Sequence, residues 1–365
     1  MKLICDGLDL SDAVLKVSKA LSNKAANPVL EGIKISAKND GLTLVATDTE
    51  LTIEKTIKAD VLMEGETVVV GKYFVDFAKR LEKEQVELSC LYEGQLQIKY
   101  SDSESELQVY PVASFPIISA ENSENFFELT AEDFKDVVEK TVLSCSNDDS
   151  RPILKGVLFE IADSSLTAVS LDGFRMSVIK KAVVSNSEFK AVVPARTLME
   201  ITRLIEKEDN FKVFITKNLL SLKMGNTSVF SRLIEGEFVK YNHIIPNGFS
   251  NSFTVNKEAL LNSLERATIV AKNDRYNVVR FDIKENVMTV SAKSEVGFVN
   301  ENIPINLEGK DIVIAFNGKF LSEYLRIIKE DFIKFNLNSP IDPCILKVTG
   351  KEDFIYLVLP VSINV

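Results

Sequence analysis

The 365-residue chain contains no tryptophan, one histidine and four widely separated cysteines. Without a CxxC pair or a second histidine, neither a common zinc site nor a dithiol redox motif is expected, and no cofactor is predicted. Scattered cysteines are typical of reduced thiols in the cytoplasm, where we expect the protein. No apolar run reaches the ~20 residues of a membrane helix, and Asp6 interrupts the N-terminal segment before a signal region can develop.

Motifs of common enzyme classes are missing as well. The chain has no GxxxxGK[ST] loop, so ATP hydrolysis of the P-loop type is not expected. It also lacks GxGxxG, GxSxG and HExxH, and a histidine-dependent triad would have to use His243. These absences argue against the common enzyme classes but leave open a hydrolase that uses carboxylates alone.

The chain repeats itself three times. The segments NPVLEGIKI, RPILKGVLFEI and YNVVRFDI begin at residues 27, 151 and 276, and each precedes a matching strand and then a strand that leads into a helix. The first two copies are offset by 124 residues, so that Asp48 matches Asp172. Repeats of this length exceed the ~20–50 residues of solenoid repeats and are large enough to fold as domains. We predict domains at 1–122, 126–247 and 251–365.

Each copy is predicted to open with a helix, for which Ser11, Thr130 and Asn256 are candidate N-caps. Several β-branched strands, a second helix and further strands follow. Consecutive strands favour antiparallel pairing, so the predicted class is α+β, with helices on one face of curved antiparallel sheets. The predicted second helices lie near Tyr73–Lys83, Leu198–Lys207 and Phe320–Lys329.

The net charge of −10 argues, by itself, against a nucleic-acid partner. The six predicted helices, however, hold eighteen basic and fourteen acidic residues, a net charge of +4 that leaves −14 for the strands and loops. One interpretation is a mildly basic helix layer that lines a channel for DNA. The other is the mixed charge that surface helices commonly carry, and charge alone favours neither.

Three motifs, together with the tandem repeats, resemble the bacterial sliding-clamp family, the beta subunits of DNA polymerase III. The motifs are LDGFRM at Leu171–Met176, EGEFVKYNHIIP ending at Pro246, and YLVLPVSI at Tyr356–Ile363. The resemblance covers essentially the whole chain. It implies three tandem copies of one α+β DNA-clamp domain, and two chains that close head-to-tail into a six-domain ring with helices inside.

The resemblance also implies a function. A homodimeric ring of this family encircles double-stranded DNA without reading its sequence and confers processivity on the replicative polymerase; it is not an enzyme. The implied partners are the DNA polymerase III catalytic subunit, the clamp loader complex, and other polymerases and repair proteins that carry short linear motifs. No membrane partner is implied, and the expected location is the nucleoid.

A peptide-docking cleft between the second and third domains is implied too. Apolar pockets would supply most of its binding energy, and a few polar groups would fix the peptide's direction. The implied cleft residues are Leu154, Leu171, Gly173, Phe174, Arg175, Met176, Val239, His243, Ile244, Tyr276, Asn317, Phe320, Ile341, Pro343, Leu359, Pro360 and Val361.

Some of these positions depart from the family pattern. Leu171 replaces a small polar residue, Phe174 a common histidine, His243 a basic or polar residue, and Val239 a proline. Simpler interpretations exist as well. Asp172-Gly173 is an ordinary turn signal, and the terminal Leu357–Val361 stretch fits a core strand if Pro360 lies at its end.

Two further surfaces are predicted. The ring seam would place Leu107 of one chain against Ile269 and Val270 of the other. The candidates that face DNA are Lys24, Arg80, Arg151, Arg196, Arg203, Lys272 and Arg275.

Three interpretations remain open at this point. The chain is either the clamp or a three-domain interaction scaffold that never encircles DNA, and a carboxylate-only hydrolase is a third possibility. Against the hydrolase, Asp48 and Asp172 correspond but the third copy has Ser294 there.

Overall fold

The computed structural model describes residues 1–22, 27–39, 41–90, 94–116, 124–205, 210–271 and 277–362. The first copy contains nine strands and two helices within these residues. They are β1 (Lys2–Asp6), α1 (Gly7–Val17), β2 (Gly32–Lys38), β3 (Gly41–Thr47), β4 (Leu51–Lys58), β5 (Asp60–Met63), β6 (Gly65–Val70), α2 (Gly71–Ala78), β7 (Gln85–Ser89), β8 (Gln95–Tyr100) and β9 (Ser103–Tyr110).

The second copy repeats this order. Its elements are β10 (Phe126–Thr130), α3 (Ala131–Val142), β11 (Gly156–Ala162), β12 (Ser165–Leu171), β13 (Arg175–Ala182), β14 (Val184–Ser185), β15 (Phe189–Pro194), α4 (Ala195–Leu204), β16 (Asn210–Ile215), β17 (Leu219–Met224) and β18 (Thr227–Arg232).

In the third copy, one long strand takes the place of the two strands found at the fourth and fifth positions of the other copies. The elements are β19 (Asn251–Asn256), α5 (Lys257–Ala271), β20 (Val278–Lys284), β21 (Val287–Ser294), β22 (Gly297–Glu308), β23 (Ile312–Asn317), α6 (Gly318–Ile327), β24 (Phe332–Leu337), β25 (Cys344–Val348) and β26 (Phe354–Val358).

The chain divides into two compact units, and the second copy contributes to both. The first unit comprises residues 1–132, 184–187 and 196–233. It holds a fourteen-stranded sheet in the order β14-β10-β16-β17-β18-β4-β3-β2-β6-β9-β8-β7-β1-β5. One residue separates β4 from β5, so the two strands form a nearly continuous stretch of chain. Its first part, β4, pairs with β3, and its second part, β5, pairs with β1.

The second unit comprises residues 133–183, 188–195 and 234–365. Its twelve-stranded sheet runs β15-β11-β12-β13-β26-β25-β24-β19-β22-β21-β20-β23. The pair β13·β26 joins the second copy to the third, with Arg175 opposite Val358. All strand pairs that the structure describes in both units are antiparallel, which confirms the predicted pairing.

The helices bury the apolar stripes that the sequence predicts. In α1, Leu10, Ala13, Val14 and Val17 are fully buried at helical spacing, and the helix contacts β3, β4 and α2. In the third copy α5 packs on α6 and on β20, β21 and β22. Within these two copies, both helices therefore cover the strands of their own sheet.

The start of the first helix differs from the prediction. A strand precedes the first helix of every copy, and α1 begins at Gly7 because the Asp6 side chain accepts hydrogen bonds from the backbone N–H groups of Leu8 and Asp9 at 2.9 and 3.2 Å. Ser11 therefore lies inside α1 and is not its N-cap. The Asn256 cap is confirmed, since its Oδ1 accepts from the Ala259 N–H at 3.0 Å.

Within the described residues, the helices lack the basic excess that the sequence count gives, and three of the cations in that count, Lys24, Lys207 and Lys272, lie outside the described residues. The six helices contain ten basic and eleven acidic residues, a net charge of −1. The first helix starts earlier and takes in Asp9, whereas α2 ends at Ala78 and leaves Lys79 and Arg80 beyond it. Cations just past a helix C-terminus interact favourably with the last carbonyl groups. The positions of Lys79 and Arg80 therefore suit the end of α2.

The cysteines are free thiols in the described structure. Burial, reinforced by the nearby Asp6 and Asp9 carboxylates, raises the pKa of the Cys5 thiol to about 12, and burial raises the pKa of the Cys145 thiol to about 12 as well. Both therefore stay protonated and act as small apolar core groups. No helix in the described ranges has the length and apolarity needed to cross a membrane.

Candidate functional site

The turn between β12 and β13, residues Leu171–Met176, is called the Asp172 turn below. The Asp172 Oδ1 atom accepts hydrogen bonds from the backbone N–H groups of Phe174 and Arg175 at 2.9 and 3.0 Å. Gly173 has a φ of +94°, which favours glycine because no Cβ is present. The turn leaves the Phe174 side chain 59% exposed. The turn interpretation and the cleft interpretation of this motif are therefore compatible.

The Arg175 guanidinium is held on three sides. Its Nε lies 2.9 Å from Asp172 Oδ2, and its Nη1 lies 2.5 Å from Glu323 Oε2 on α6. The guanidinium also stacks over the Phe320 ring, 4.2 Å from its centroid. With only 9% of its side chain exposed, this charge is paired by two carboxylates and its planar group has one orientation. Arg175 thus connects the second copy to the third.

The segment that follows β26 makes a second connection. Leu359 N–H donates to the Phe174 carbonyl, and Val361 N–H donates to the Ala315 carbonyl, each at 2.8 Å. Pro360, which has no N–H to donate, lies between them, after the strand has ended at Val358. The backbone of 359–361 is therefore fixed against both the Asp172 turn and β23.

An apolar cluster includes residues from the Asp172 turn and from β26. Its buried members include Leu154, Leu171, Met176, Tyr241 and Leu357, and Leu359, Phe238 and Ile245 pack against it while remaining partly exposed. Leu154 comes from a short 3₁₀ helix at Pro152–Lys155. Four of the sequence-predicted cleft residues, Leu154, Leu171, Met176 and Leu359, are thus brought together in one apolar surface.

The remaining predicted cleft residues lie at the edges of this surface or form its supports. Val239, His243 and Ile244 are exposed in the 235–247 segment, and Ile341 is 76% exposed in the loop before β25. Pro343 directly precedes Cys344, which pairs with Val358. Asn317 caps α6 by accepting from the Lys319 N–H at 3.0 Å. Tyr276 lies outside the described residues.

Sequence reasoning missed Glu323 as the second partner of Arg175. A signal was present, because Glu323 occupies the sixth position of α6, and Glu200 and Asp76 occupy the same position of α4 and α2. An acid at one helical position in all three copies indicates a shared role for that position. Only in the third copy does an arginine of a neighbouring turn pair with it in the described structure.

The predicted DNA-facing residues are exposed where the structure describes them, but they differ in pairing. Arg196 pairs with Asp48 and donates to the Lys19 carbonyl, and Arg203 lies 2.5 Å from Glu200. Arg80 and Arg151 are exposed and have no ion pair within 4.0 Å among the described residues. Lys24, Lys272 and Arg275 lie outside the described residues.

The predicted seam residues lie beside two strand edges that are only partly used. Leu107 is half-buried on β9, which pairs with β6 only at Val109 and Tyr110. Ile269 is 73% exposed near the end of α5, and Val270 is half-buried. In the same unit as these two, residues 297–304 of β22 pair only with β21 in the described structure, while residues 305–308 pair with β19.

The carboxylates considered for a hydrolase are engaged in structural contacts. Asp48 Oδ1 accepts from the N–H groups of Glu50 and Leu51 at 3.0 and 2.8 Å, and its Oδ2 pairs with Arg196. Asp172 makes the corresponding turn contacts and pairs with Arg175. Both acids therefore act as turn caps, which does not favour the hydrolase.

Comparison with known proteins gives three consecutive family matches. Residues 1–119 match the N-terminal domain of the DNA polymerase III beta subunit, residues 128–240 its central domain, and residues 242–362 its C-terminal domain. The matches confirm the predicted threefold organisation.

Individual relatives match along their whole length. The chain is 30% identical over 361 residues to a beta sliding clamp from Halalkalibacterium halodurans, covering 94% of this chain and 95% of the relative. The structure resembles the DNA polymerase sliding clamp of Bacillus subtilis (25% identity, TM-score 0.96) and the DNA polymerase III beta subunit of Thermotoga maritima (28%, 0.93), with 100% of both chains covered in each comparison.

Proposed function

The chain belongs to the DNA polymerase III beta-subunit family, and on that premise we propose that it works as a sliding clamp. It encircles duplex DNA at the nucleoid and holds the replicative polymerase there, and it catalyses no reaction itself. Its domains are the three copies at 1–122, 126–247 and 251–365. Two chains close head-to-tail into a six-domain ring.

The ring seam joins the first domain of one chain to the third domain of the other. The partly unpaired edges of β9 and of residues 297–304 in β22 support this assignment, since antiparallel pairing of two such edges satisfies their free backbone groups. Leu107 then packs against Ile269 and Val270. Closure would bury these side chains, of which Ile269 is the most exposed in the single chain.

Weak contacts with DNA suit a protein that slides. Arg80, Arg151, Arg196 and Arg203 supply the cations, together with Lys24, Lys272 and Arg275. Because Arg196 and Arg203 each pair with a carboxylate, each contributes less net charge toward a phosphate. Each neutralised phosphate adds about 0.9 to the slope of log K against log salt, so a few contacts give weak binding that ignores sequence, and ring closure provides retention.

Partner proteins dock in the cleft beside the Asp172 turn. The observation that carries this proposal is the pair of 2.8 Å hydrogen bonds by which 359–361 is fixed to Phe174 and Ala315, together with the buried apolar cluster against which Leu359 packs. A fixed backbone over an apolar floor is the surface that an extended motif with apolar anchors requires. The expected ligands are motifs of the DNA polymerase III catalytic subunit, the clamp loader, and other polymerases and repair proteins.

Retention on circular DNA tests the encircling function. Protein loaded by the clamp loader onto a nicked plasmid should elute with the DNA through a sizing column at moderate salt, and cutting the plasmid once should release it within minutes. A matched seam variant, Ile269→Asp, changes an exposed side chain and should prevent retention without unfolding the chain. Equal retention on circular and linear DNA would contradict the proposal.

The non-encircling scaffold makes a different prediction. Sedimentation at micromolar concentration should then give a monomer that still binds motif peptides. Its retention on DNA should be the same for circular and linear molecules. A dimer at this concentration favours the clamp.

A further inference from the structure

The segment 235–247, which carries Val239, His243 and Ile244 at the edge of the cleft, is held mostly by its own backbone. Tyr241 N–H donates to the Val239 carbonyl at 2.8 Å just before a short 3₁₀ helix at Tyr241–His243, and Ile244 N–H closes that helix by donating to the Tyr241 carbonyl at 2.9 Å. No strand pairing includes this segment in the described structure. Its position relative to the cleft floor must therefore come from side chains.

Tyr241 is the one buried residue in segment 235–247. It is 7% exposed and belongs to the apolar cluster with Leu154, Leu171 and Met176. Its hydroxyl donates to Glu160 Oε2 at 2.5 Å. Among the described residues of 235–247, this is the one hydrogen bond from a side chain to another part of the chain.

Glu160 is itself held in place on β11. The strand register puts it opposite Lys190 of β15, and its Oε1 lies 2.5 Å from the Lys190 Nζ. The Glu160 carboxylate thus accepts a hydrogen bond from the Tyr241 hydroxyl with one oxygen and pairs with the Lys190 ammonium through the other. The burial of the ring and the Glu160 bond both raise the pKa of the Tyr241 hydroxyl, so it remains a donor at any physiological pH.

We propose that Glu160 is a positioning residue for peptide capture, which acts through Tyr241 to keep Val239, His243 and Ile244 in place at the cleft. This inference rests on the proposed function. A groove lined by Glu160, Ser165, Glu188 and Lys190 lies beside the carboxylate. Water can therefore hydrate Glu160 when the tyrosine hydroxyl is removed, and loss of the bond should loosen the segment without leaving a buried charge unpaired.

The kinetic consequence distinguishes positioning from direct contact. If the segment occupies its binding position in only a fraction of molecules, apparent affinity falls by that fraction. The association rate should fall while the dissociation rate stays the same, because the bound complex is unchanged. Loss of a direct contact with the peptide would instead speed dissociation.

The test measures binding of a fluorescein-labelled clamp-binding motif peptide from the organism's DNA polymerase III catalytic subunit to the full-length protein. Tyr241→Phe should weaken binding about three- to tenfold through slower association, and Glu160→Ala should do the same. The double variant should bind no worse than either single variant, because both remove one interaction. Glu160→Gln keeps an acceptor for the hydroxyl and should stay within about twofold of wild type.

A matched control removes a tyrosine hydroxyl in the first unit, which contains none of the predicted cleft residues. The Tyr100 hydroxyl lies 3.5 Å from the Ser105 hydroxyl, and Tyr100→Phe keeps the ring that packs on Phe77, so peptide binding should be unchanged. Wild-type binding kinetics in Tyr241→Phe, additive effects in the double variant, or faster dissociation in place of slower association would each overturn the inference. If wild-type protein binds no motif peptide, the proposed function fails, and the inference fails with it.

Discussion

Two corresponding turns in this chain have the same backbone hydrogen bonds but carry different side chains. The Asp48 turn, residues Thr47–Thr52, lies in the first copy, and the Asp172 turn lies in the second. In both, an aspartate caps the N–H groups two and three residues later at 2.8–3.0 Å. Both turns also receive a 2.8 Å hydrogen bond from a following segment, Arg232 N–H to the Glu50 carbonyl and Leu359 N–H to the Phe174 carbonyl.

The side chains of the two turns differ at every position that meets the neighbouring copy. Leu171 and Met176 correspond to Thr47 and Thr52, whose hydroxyls are buried and lie 2.7 Å apart. Arg175 corresponds to the buried Leu51. At the Asp48 turn, Arg196 from α4 pairs with Asp48 Oδ2. At the Asp172 turn, the partner of Asp172 Oδ2 is Arg175, which belongs to the turn itself.

The difference indicates which features of the Asp172 turn would serve the proposed docking of peptides. The Asp cap and the strand register are general to the repeat, because both turns have them. The apolar floor and the arginine stacked on Phe320 are specific to the Asp172 turn, since Thr197, at the α4 position that matches Phe320, is buried and hydrogen-bonded to Ser231. Peptide binding should therefore be sensitive at one turn and insensitive at the other.

The largest effect is expected when both connections of the Asp172 turn are removed. Arg175→Ala combined with deletion of residues 361–365 eliminates the stacked guanidinium and the Val361 bond to Ala315. Peptide affinity should fall more than 100-fold, measured by fluorescence anisotropy, while the dimer persists in sedimentation. Arg196→Ala removes the corresponding arginine of the Asp48 turn and should leave peptide affinity at the wild-type value. Normal affinity in the double change would refute the cleft assignment.

A smaller effect is expected when the Asp172 turn receives one residue of its counterpart. Met176→Thr places a hydroxyl and a void at a position that is 2% exposed. We expect about a tenfold loss of peptide affinity and a decrease of about 2–4 kcal/mol in the free energy of unfolding, measured by chemical denaturation. If affinity is unaffected while stability falls, the apolar floor has no part in docking.

The reciprocal change should affect stability alone. Thr52→Val removes one hydroxyl of the buried 2.7 Å pair at the Asp48 turn. The free energy of unfolding should decrease by about 1–2 kcal/mol, because Thr47 loses a partner. Peptide affinity should equal that of wild type. Weaker peptide binding in this variant would show that the two turns are coupled and would break the comparison.

The smallest effects concern backbone strain. Thr49 has a φ of 80° at the position that Gly173 occupies in the other turn, and a β-branched residue is strained there. Thr49→Gly should raise the free energy of unfolding by up to about 1 kcal/mol, and Gly173→Ala should lower it by about 1 kcal/mol. Thermal unfolding checks both signs. A destabilised Thr49→Gly would mean that the bond from its N–H to Thr47 Oγ1 outweighs the strain.

The sequence predicted the parts of the fold that depend on repetition. Matching Asp48 with Asp172 predicted two equivalent turns, and the structure gives both the same cap. The start of α1 was mispredicted because Ser11 is a good cap by type, whereas Asp6, at the end of a strand, takes that role. A local sequence pattern cannot decide between two candidate N-caps, because pairing of the preceding strand with distant residues determines where the helix begins.

The site was less predictable than the fold, for a physical reason. Arg175 was identified through the motif, but its partner Glu323 lies 148 residues away in sequence, and pairing across that separation depends on the packing of the second and third copies. The same holds for Glu160 and Tyr241, 81 residues apart. The helix charge counted from the sequence depends on where each helix ends. Lys79 and Arg80 were counted in a helix, but α2 ends before them at Ala78.

Hydrogen exchange of the full-length protein with and without the motif peptide tests the central claim most directly, because it reports on both turns in one experiment. The account predicts slower exchange of backbone amides at 171–176 and 357–362 when peptide is bound, and unchanged exchange at 47–52. Protection of the Asp48 turn, or of neither turn under saturating peptide, would contradict it.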